Sequence, residues 1–251
     1  MSRIISVHSY RGGTGKSNTT ANLAVLLAMD GMKVGVVDTD IQSPGINALF
    51  GLGQSDLKHS LNDYLWGQCD IADASHDVTD NLKGDIKGKI FMIPSSLNAG
   101  EIARVLREGY DVGLLDSGFQ DLVKELELDV LLIDTHPGLN EETLLSIAIS
   151  DKVILILRPD QQDYLGTSIT VEVARKLDVA HLMLVVNKIP DVFDFEEVRK
   201  KIESTYETEV AALMPHSDEM MILGSNGIFV LEHPDSPVSE ALRNLAKKLM
   251  E

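Results

Sequence analysis

Between Asp129 and Asp134 the chain runs through four aliphatic residues in a row, Val130-Leu131-Leu132-Ile133. A strand so short and so uniformly apolar has no polar face to offer water, so it must be covered on both sides. The same texture recurs, and strands are expected over 4–9, 33–38, 89–93, 130–134, 153–157 and 181–186. Between them lie stretches with helical patterning, over 16–29, 101–106, 119–126, 141–149, 165–177, 195–205 and 238–250. This alternation predicts an α/β fold, a doubly wound and mostly parallel sheet with helices on both faces. The punctuation agrees. Asp30-Gly31 reads as a glycine stop for the first helix, and Ser236-Pro237 as N-cap and first-turn proline of the last.

The chain of 251 residues shows no internal repeat and no Pro/Gly/Ser linker, so 1–251 reads as a single domain. The polar stretch 70–88, rich in Asp and Gly, is expected to be a surface excursion from it. One cysteine, Cys69, leaves no internal disulfide and no multi-cysteine metal site within one chain. The chain opens on a strand-like run rather than a leader, and no apolar stretch reaches the roughly 18–20 residues that span a bilayer. These features point to the cytoplasm. A net charge of −17 argues against a uniformly basic nucleic-acid surface while leaving room for a local basic patch.

The chemistry is concentrated after the first strand, in Arg11-Gly12-Gly13-Thr14-Gly15-Lys16-Ser17. Three glycines let backbone N–H groups converge on phosphate oxygens, at a helix N-terminus that already favours anions. Lys16 adds a point charge near the outer phosphates, the Ser17 hydroxyl suits Mg²⁺, and Asn18 is placed to donate to the innermost phosphate. Tyr10 stands where the first glycine of the general G-x-x-x-x-G-K-S spacing would be. Two more acidic sites end strands, Asp38-Thr39-Asp40 and Asp134, on the edge where doubly wound sheets bind ligands. A carboxylate pair spaced i, i+2 there is not core without partners.

The loop resembles the deviant Walker A motif K-G-G-x-G-K-[ST] of the ParA/MinD ATPases, with Arg11 at the signature lysine. The similarity extends from the first strand through the last helix. It implies an ATP-bridged homodimer in which the signature residue reaches the partner subunit's nucleotide, a role Arg11 keeps with a planar fork. Lys152 is the fallback cation. By the same resemblance 38–50 is switch I, with Asp40 orienting the attacking water and Asp38 reaching Mg²⁺ through water. Asp134 closes a Walker B strand beside Ser17. Thr135-His136-Pro137-Gly138 matches switch II, D-x-P-P-G, with His136 in place of the first proline and Gly138 sensing the γ-phosphate; His136 itself is read as a non-catalytic loop residue. Asn187-Lys188 resembles the family's base-contacting turn, and Pro215 lies in the loop expected to meet adenine. Ile189 and Pro190 follow Lys188 where a guanine signature would carry aspartate, which favours ATP over GTP.

The expected protein is thus a Mg²⁺-dependent ATP hydrolase, with Arg11, Lys16 and Asp40 catalytic. Gly12, Gly13, Thr14, Gly15, Lys16, Ser17, Asn18, Gly138, Asn187, Lys188 and Pro215 would hold nucleotide, and Ser17, Asp38 and Asp134 the metal. The resemblance implies slow turnover, stimulated by an activating partner or cargo-adaptor protein, in the service of positioning a chromosome, plasmid, division site or protein assembly. Non-specific DNA is a further candidate partner and the nucleoid a candidate location, with Arg243, Lys247 and Lys248 as the local basic cluster; a solvated helix face is the plainer account of it. The apolar stripe of the last helix reads as packing onto the sheet, and the chain ends at Glu251 without the basic amphipathic tail of membrane-binding relatives. A metallocluster carrier on the same scaffold is the alternative, although such relatives pair cysteines across a dimer. An ATP-dependent synthetase would need a substrate pocket that no group of residues announces.

Overall fold

A computed structural model describes residues 2–251. Eight strands form one sheet: β1 (Arg3–His8), β2 (Lys33–Asp38), β3 (His76–Asp77), β4 (Lys89–Ile93), β5 (Val130–Asp134), β6 (Lys152–Leu157), β7 (Leu182–Ile189) and β8 (Val210–Pro215). Their order across the sheet is β3-β4-β2-β5-β1-β6-β7-β8. Every pairing is parallel except β3 with β4. The helices are α1 (Lys16–Met29), α2 (Ile46–Leu49), α3 (Leu61–Leu65), α4 (Ala99–Glu108), α5 (Gly113–Glu125), α6 (Glu141–Ile149), α7 (Gln161–Lys176), α8 (Phe195–Tyr206), α9 (Asp218–Leu223), α10 (Phe229–Glu232) and α11 (Pro237–Met250).

The aliphatic run of β5 does what its composition requires. Val130 and Leu132 join the core on one face, with Leu23 and Leu27 of α1 and Leu242 and Leu245 of α11. Leu131 and Ile133 turn to the other face, against Phe119 and Leu122 of α5. A third cluster on the far half of the sheet packs Leu155, Leu184 and Val186 against Val171, Ile202 and Tyr206 of α7 and α8. Burying side chains of this size stabilises by about 1.5–3 kcal/mol each, which is why the period-two alternation fixes the strand's register.

Helix ends follow their sequence signals. Gly31 takes φ +96°, and the Gly31 and Met32 amides return to Ala28 and Leu27 carbonyls at 3.0 and 3.2 Å, a Schellman closure of α1. Ser236 Oγ accepts from the Val238 amide at 3.3 Å to open α11. The stripe of α11 packs inward, with Val238, Leu242, Leu245, Ala246 and Leu249 buried.

Some expectations need correcting. Helix α5 begins six residues before the expected start, and Gly118 inside it lies under the Tyr64 ring, where an added Cβ would meet Cε1 at 2.9 Å. Strand β8 was not expected at all; its Ala211-Ala212 and every-other-residue burial give a weak apolar signal at a sheet edge. The stretch 70–88 is also less of an excursion than its polarity suggests. Ile71, Ala74 and Val78 are buried, and His76–Asp77 pairs antiparallel along β4, covering that edge of the sheet.

Candidate functional site

Parallel register places the acidic strand ends side by side. Asp134 is the register partner of both Val7 and Asp38, so β1, β5 and β2 deliver the glycine loop and two carboxylates to one edge. The loop turns with Gly13 at φ +77° and Gly15 at φ +102°, conformations open to glycine. Gly15 is the N-cap of α1 and carries no side chain to cap it, and no acidic residue occupies the first turn. The opening amides of α1 and the positive end of its dipole are therefore left for an anion.

Lys16 is only 7% exposed, and burial lowers the pKa of its ammonium against the charges of Asp134, Asp40 and Asp38. Burial, reinforced by Asp134 and Asp40, raises the Asp38 carboxyl well above the ordinary range, against amide hydrogen bonds from Asp40 and Gly45. Asp134 is pushed up to about 6 by burial, with the Ser17 hydroxyl and the Lys16 charge pulling the other way. Thr20 Oγ1 also donates to Asp134 Oδ1 at 3.3 Å. Two buried carboxylates that share one buried ammonium suit a divalent cation next to Ser17. Among the described residues no three His, Cys, Asp or Glu side chains converge as a ready metal cage. An ion held here would complete its shell from phosphate and water.

The two acidic loops touch. His136 Nδ1 lies 2.6 Å from Asp40 Oδ1, and the Ser43 amide donates to the same oxygen at 3.1 Å. Asp38 spans its own loop, accepting from the Asp40 amide at 2.9 Å and the Gly45 amide at 3.2 Å. Gly138 has φ +89°, and its amide, the expected γ-phosphate sensor, here donates to the Ser9 carbonyl at 3.2 Å. Sensing phosphate would require releasing that bond.

Arg11 is drawn back onto its own chain. Its guanidinium sits 3.4 Å from Asp163 Oδ1 and 3.6 Å from Asp160 Oδ1, at the start of α7. Arg158 holds the same Asp163 through Nε at 2.9 Å and Nη2 at 3.2 Å. Lys152 belongs to the other side of the molecule. It opens β6 opposite Ile5, at the amino edge of the sheet, and its Nζ donates to the Lys248 carbonyl at 3.4 Å. A parallel strand puts its first and last residues at opposite edges, so Lys152 is removed as a nucleotide-directed cation.

Beside the loop is a cavity of about 220 Å³ that gathers Gly15, Asn18, Asn187, Lys188, Pro215 and Met220. The residues read as a base site thus do come together. Asn187, however, is buried with its Nδ2 donating to the Thr14 carbonyl at 2.8 Å and its Oδ1 accepting from the Lys188 amide. Lys188, at φ +57°, donates from Nζ to the Gly13 carbonyl at 2.8 Å. Both side chains brace the glycine loop, and neither offers its polar head to a base in this arrangement.

Three contributors escaped the sequence reading, His8, Arg158 and Asp163, and Thr135 entered it only as a member of the switch II stretch. His8 is fully buried with Nδ1 2.7 Å from Thr135 Oγ1, and burial, then Lys16 and His136, holds its pKa down to about 3. Its Nε2 has no hydrogen-bond partner among the described residues. Asp163 was detectable in principle, as the fourth residue of an Asp160-led N-cap that accepts from the Gln162 and Asp163 amides. Cys69 lies apart, packed beside the cluster around Leu61 and Phe119, its thiol pushed up to about 11 by burial and nearby aspartates. A lone protonated thiol there gives no support to a cluster-carrying role.

A strand, glycine loop and helix N-terminus, with a buried lysine and carboxylates at the carboxyl edge of a parallel sheet, define a P-loop nucleotide hydrolase. A family model described as an AAA domain matches residues 2–183. An uncharacterized ATP-binding protein of Methanocaldococcus jannaschii is 30% identical over 250 residues, covering 97% of this chain and 86% of the relative. The septum site-determining protein MinD of Bacillus subtilis is 24% identical over 260 residues, covering 100% of this chain and 90% of its own. MinD of Pyrococcus horikoshii, solved with Mg-ADP, superposes with a TM-score of 0.81 at 24% identity, covering 99% of this chain and 96% of that one. The chain belongs to the AAA-domain family and, within it, to the ParA/MinD branch of P-loop ATPases.

Proposed function

We propose that this ATPase acts, as one domain over 1–251, as a nucleotide-dependent positioning switch: paired when it holds Mg·ATP, separated after hydrolysis. The observation that carries the reading is the buried Lys16 amid Asp38, Asp40 and Asp134, at a helix start left uncapped. Mg·ATP, when bound, supplies the phosphoanhydride bond and the ion that offsets its charge. The amides of Gly12, Gly13, Thr14 and Gly15, with Lys16, would bind the phosphates, and Ser17, Asp38 and Asp134 would hold the ion's shell. Asn18, Lys188, Asn187 and Pro215 would border the base, the asparagine by shaping the loop. Asp40 would orient the attacking water, and Gly138 would exchange the Ser9 carbonyl for phosphate.

Arg11 would reach the partner subunit's phosphates after leaving Asp160 and Asp163, a rearrangement consistent with slow turnover until a second protein docks. The name of the B. subtilis relative, a septum site-determining protein, motivates positioning as the purpose. Among the described residues no helix is long and apolar enough to cross a membrane. An adaptor protein or non-specific DNA would then supply the surface, although Lys248 of the basic cluster is already paired with Glu209. Size-exclusion chromatography with light scattering on Asp40→Ala protein tests the switch. A dimer with Mg·ATP and a monomer with ADP are expected; a monomer under both conditions removes the proposal. Gel retardation of the ATP-bound sample at physiological salt tests DNA as the surface.

A further inference from the structure

We infer that His136 is a positioning residue for ATP hydrolysis, fixing Asp40 so that one carboxylate oxygen is held and the other is presented to water. The inference rests on the ATPase reading above and adds a part that the family pattern, with proline at this place, does not contain.

A carboxylate only accepts hydrogen bonds, so the 2.6 Å approach of His136 Nδ1 to Asp40 Oδ1 requires the hydrogen to sit on Nδ1. The Ser43 amide fills the same oxygen from the switch I side. Asp40 Oδ2 takes no hydrogen bond from any described residue, and the side chain retains 16% exposure. The carboxylate is thus immobilised through one oxygen while the second stays open toward solvent. Its backbone is fixed as well, by the amide bond to Asp38 Oδ1.

The anchor is rigid at its own end. The His136 carbonyl accepts from Thr143 Oγ1 at 3.2 Å, and Pro137 follows it. Preceding Thr135 is tied to His8 Nδ1 at 2.7 Å and to the Val7 carbonyl at 3.1 Å. The histidine therefore joins the loop after β2 to the loop after β5, the two segments that flank Lys16. A proline at 136 has no donor and would leave Asp40 held by Ser43 alone. Because reaction geometry tolerates little displacement, a loosened Asp40 lowers the rate without weakening nucleotide binding.

The test uses the full chain and measures kcat and KM for ATP in His136→Ala, His136→Asn and Asp40→Ala proteins, and in the His136→Ala, Asp40→Ala double variant. His136→Ala should lower kcat by about 10- to 100-fold with KM for ATP nearly unchanged. Asn carries an amide donor near the place of Nδ1 and no base, so His136→Asn should recover most of the loss. In the Asp40→Ala background the histidine change should add nothing.

An unchanged kcat in His136→Ala, a KM that rises as kcat falls, or a loss that persists without Asp40 would each overturn the inference. Failure of Asn to rescue would also overturn it, assigning the imidazole a direct part in proton transfer. Nitrogen-15 NMR of the His136 ring reads the contact independently of turnover. An Nδ1–H tautomer that becomes mixed in Asp40→Ala supports the clamp, and a tautomer indifferent to Asp40 refutes it. Failure of the ATPase reading would show separately, as wild-type protein without Mg·ATP affinity but with the His136–Asp40 signature intact.

Discussion

Asp134→Asn in nucleotide-free protein isolates the electrostatic cost of building this site. The wild-type carboxyl is raised by burial from 3.8 to about 6. Where both folded and unfolded forms are ionised, that difference disfavours folding by roughly 3 kcal/mol. Asparagine keeps an acceptor for Thr20 and Ser17 and removes the charge. It also removes a charge that raises the pKa of Asp38. In EDTA at pH 7.5 the variant should therefore be more stable than wild type, by up to about 3 kcal/mol. The sign with pH follows from the raised value. The penalty is absent while Asp134 is protonated in both states, grows as pH rises from about 4 to 6, and is complete above that. His8 runs opposite: with a folded pKa of about 3, its unfolded form alone takes up a proton below 6.5, so stability falls as pH drops through that range. His8 is common to both proteins, and the difference between them reports Asp134. Urea unfolding at pH 7.5 and 4.5 gives that difference directly. The stabilisation should shrink at the lower pH, and the variant should gain far less than wild type from added Mg·ATP. An Asp134→Asn protein that is less stable at pH 7.5, or a difference independent of pH, would refute the reasoning.

Gly15→Ala places a Cβ at φ +102° and into the Asn187 amide, so Mg·ATP binding should be lost while far-ultraviolet circular dichroism is retained. Asn187→Ala removes the bond to the Thr14 carbonyl, a buried contact worth about 1–3 kcal/mol. Calorimetry should show nucleotide affinity falling by about tenfold or more as the loop loses its brace.

Much of this arrangement was legible in the residues because its cause is local. Val130-Leu131-Leu132-Ile133 has no polar face, so burial on both sides follows from the chain itself, and the parallel sheet follows from burial. The glycine loop is legible for the same reason, since positive φ at Gly13 and Gly15 is a property of those residues. What escaped depends on elements far apart in sequence. Asp40 and His136 are 96 positions apart and meet only because β2 and β5 are neighbours. Arg11 finds Asp163 across 152 positions, and no spacing rule anticipates that pairing. Asn187 and Lys188 lie beside the glycine loop, but their polar groups are directed at the loop carbonyls, a matter of side-chain direction that spacing does not announce. The misreading of Lys152 was avoidable. A residue that opens a parallel strand faces the edge away from one that closes it, whatever its charge.

Isothermal titration of Mg·ATP into wild-type and Lys16→Ala protein bears most directly on the phosphate site. Saturable binding by wild type and its collapse in the variant, with both proteins folded to similar Tm, are the predicted results. Absence of any heat of binding in wild type, or equal affinity in Lys16→Ala, would contradict the account at its base.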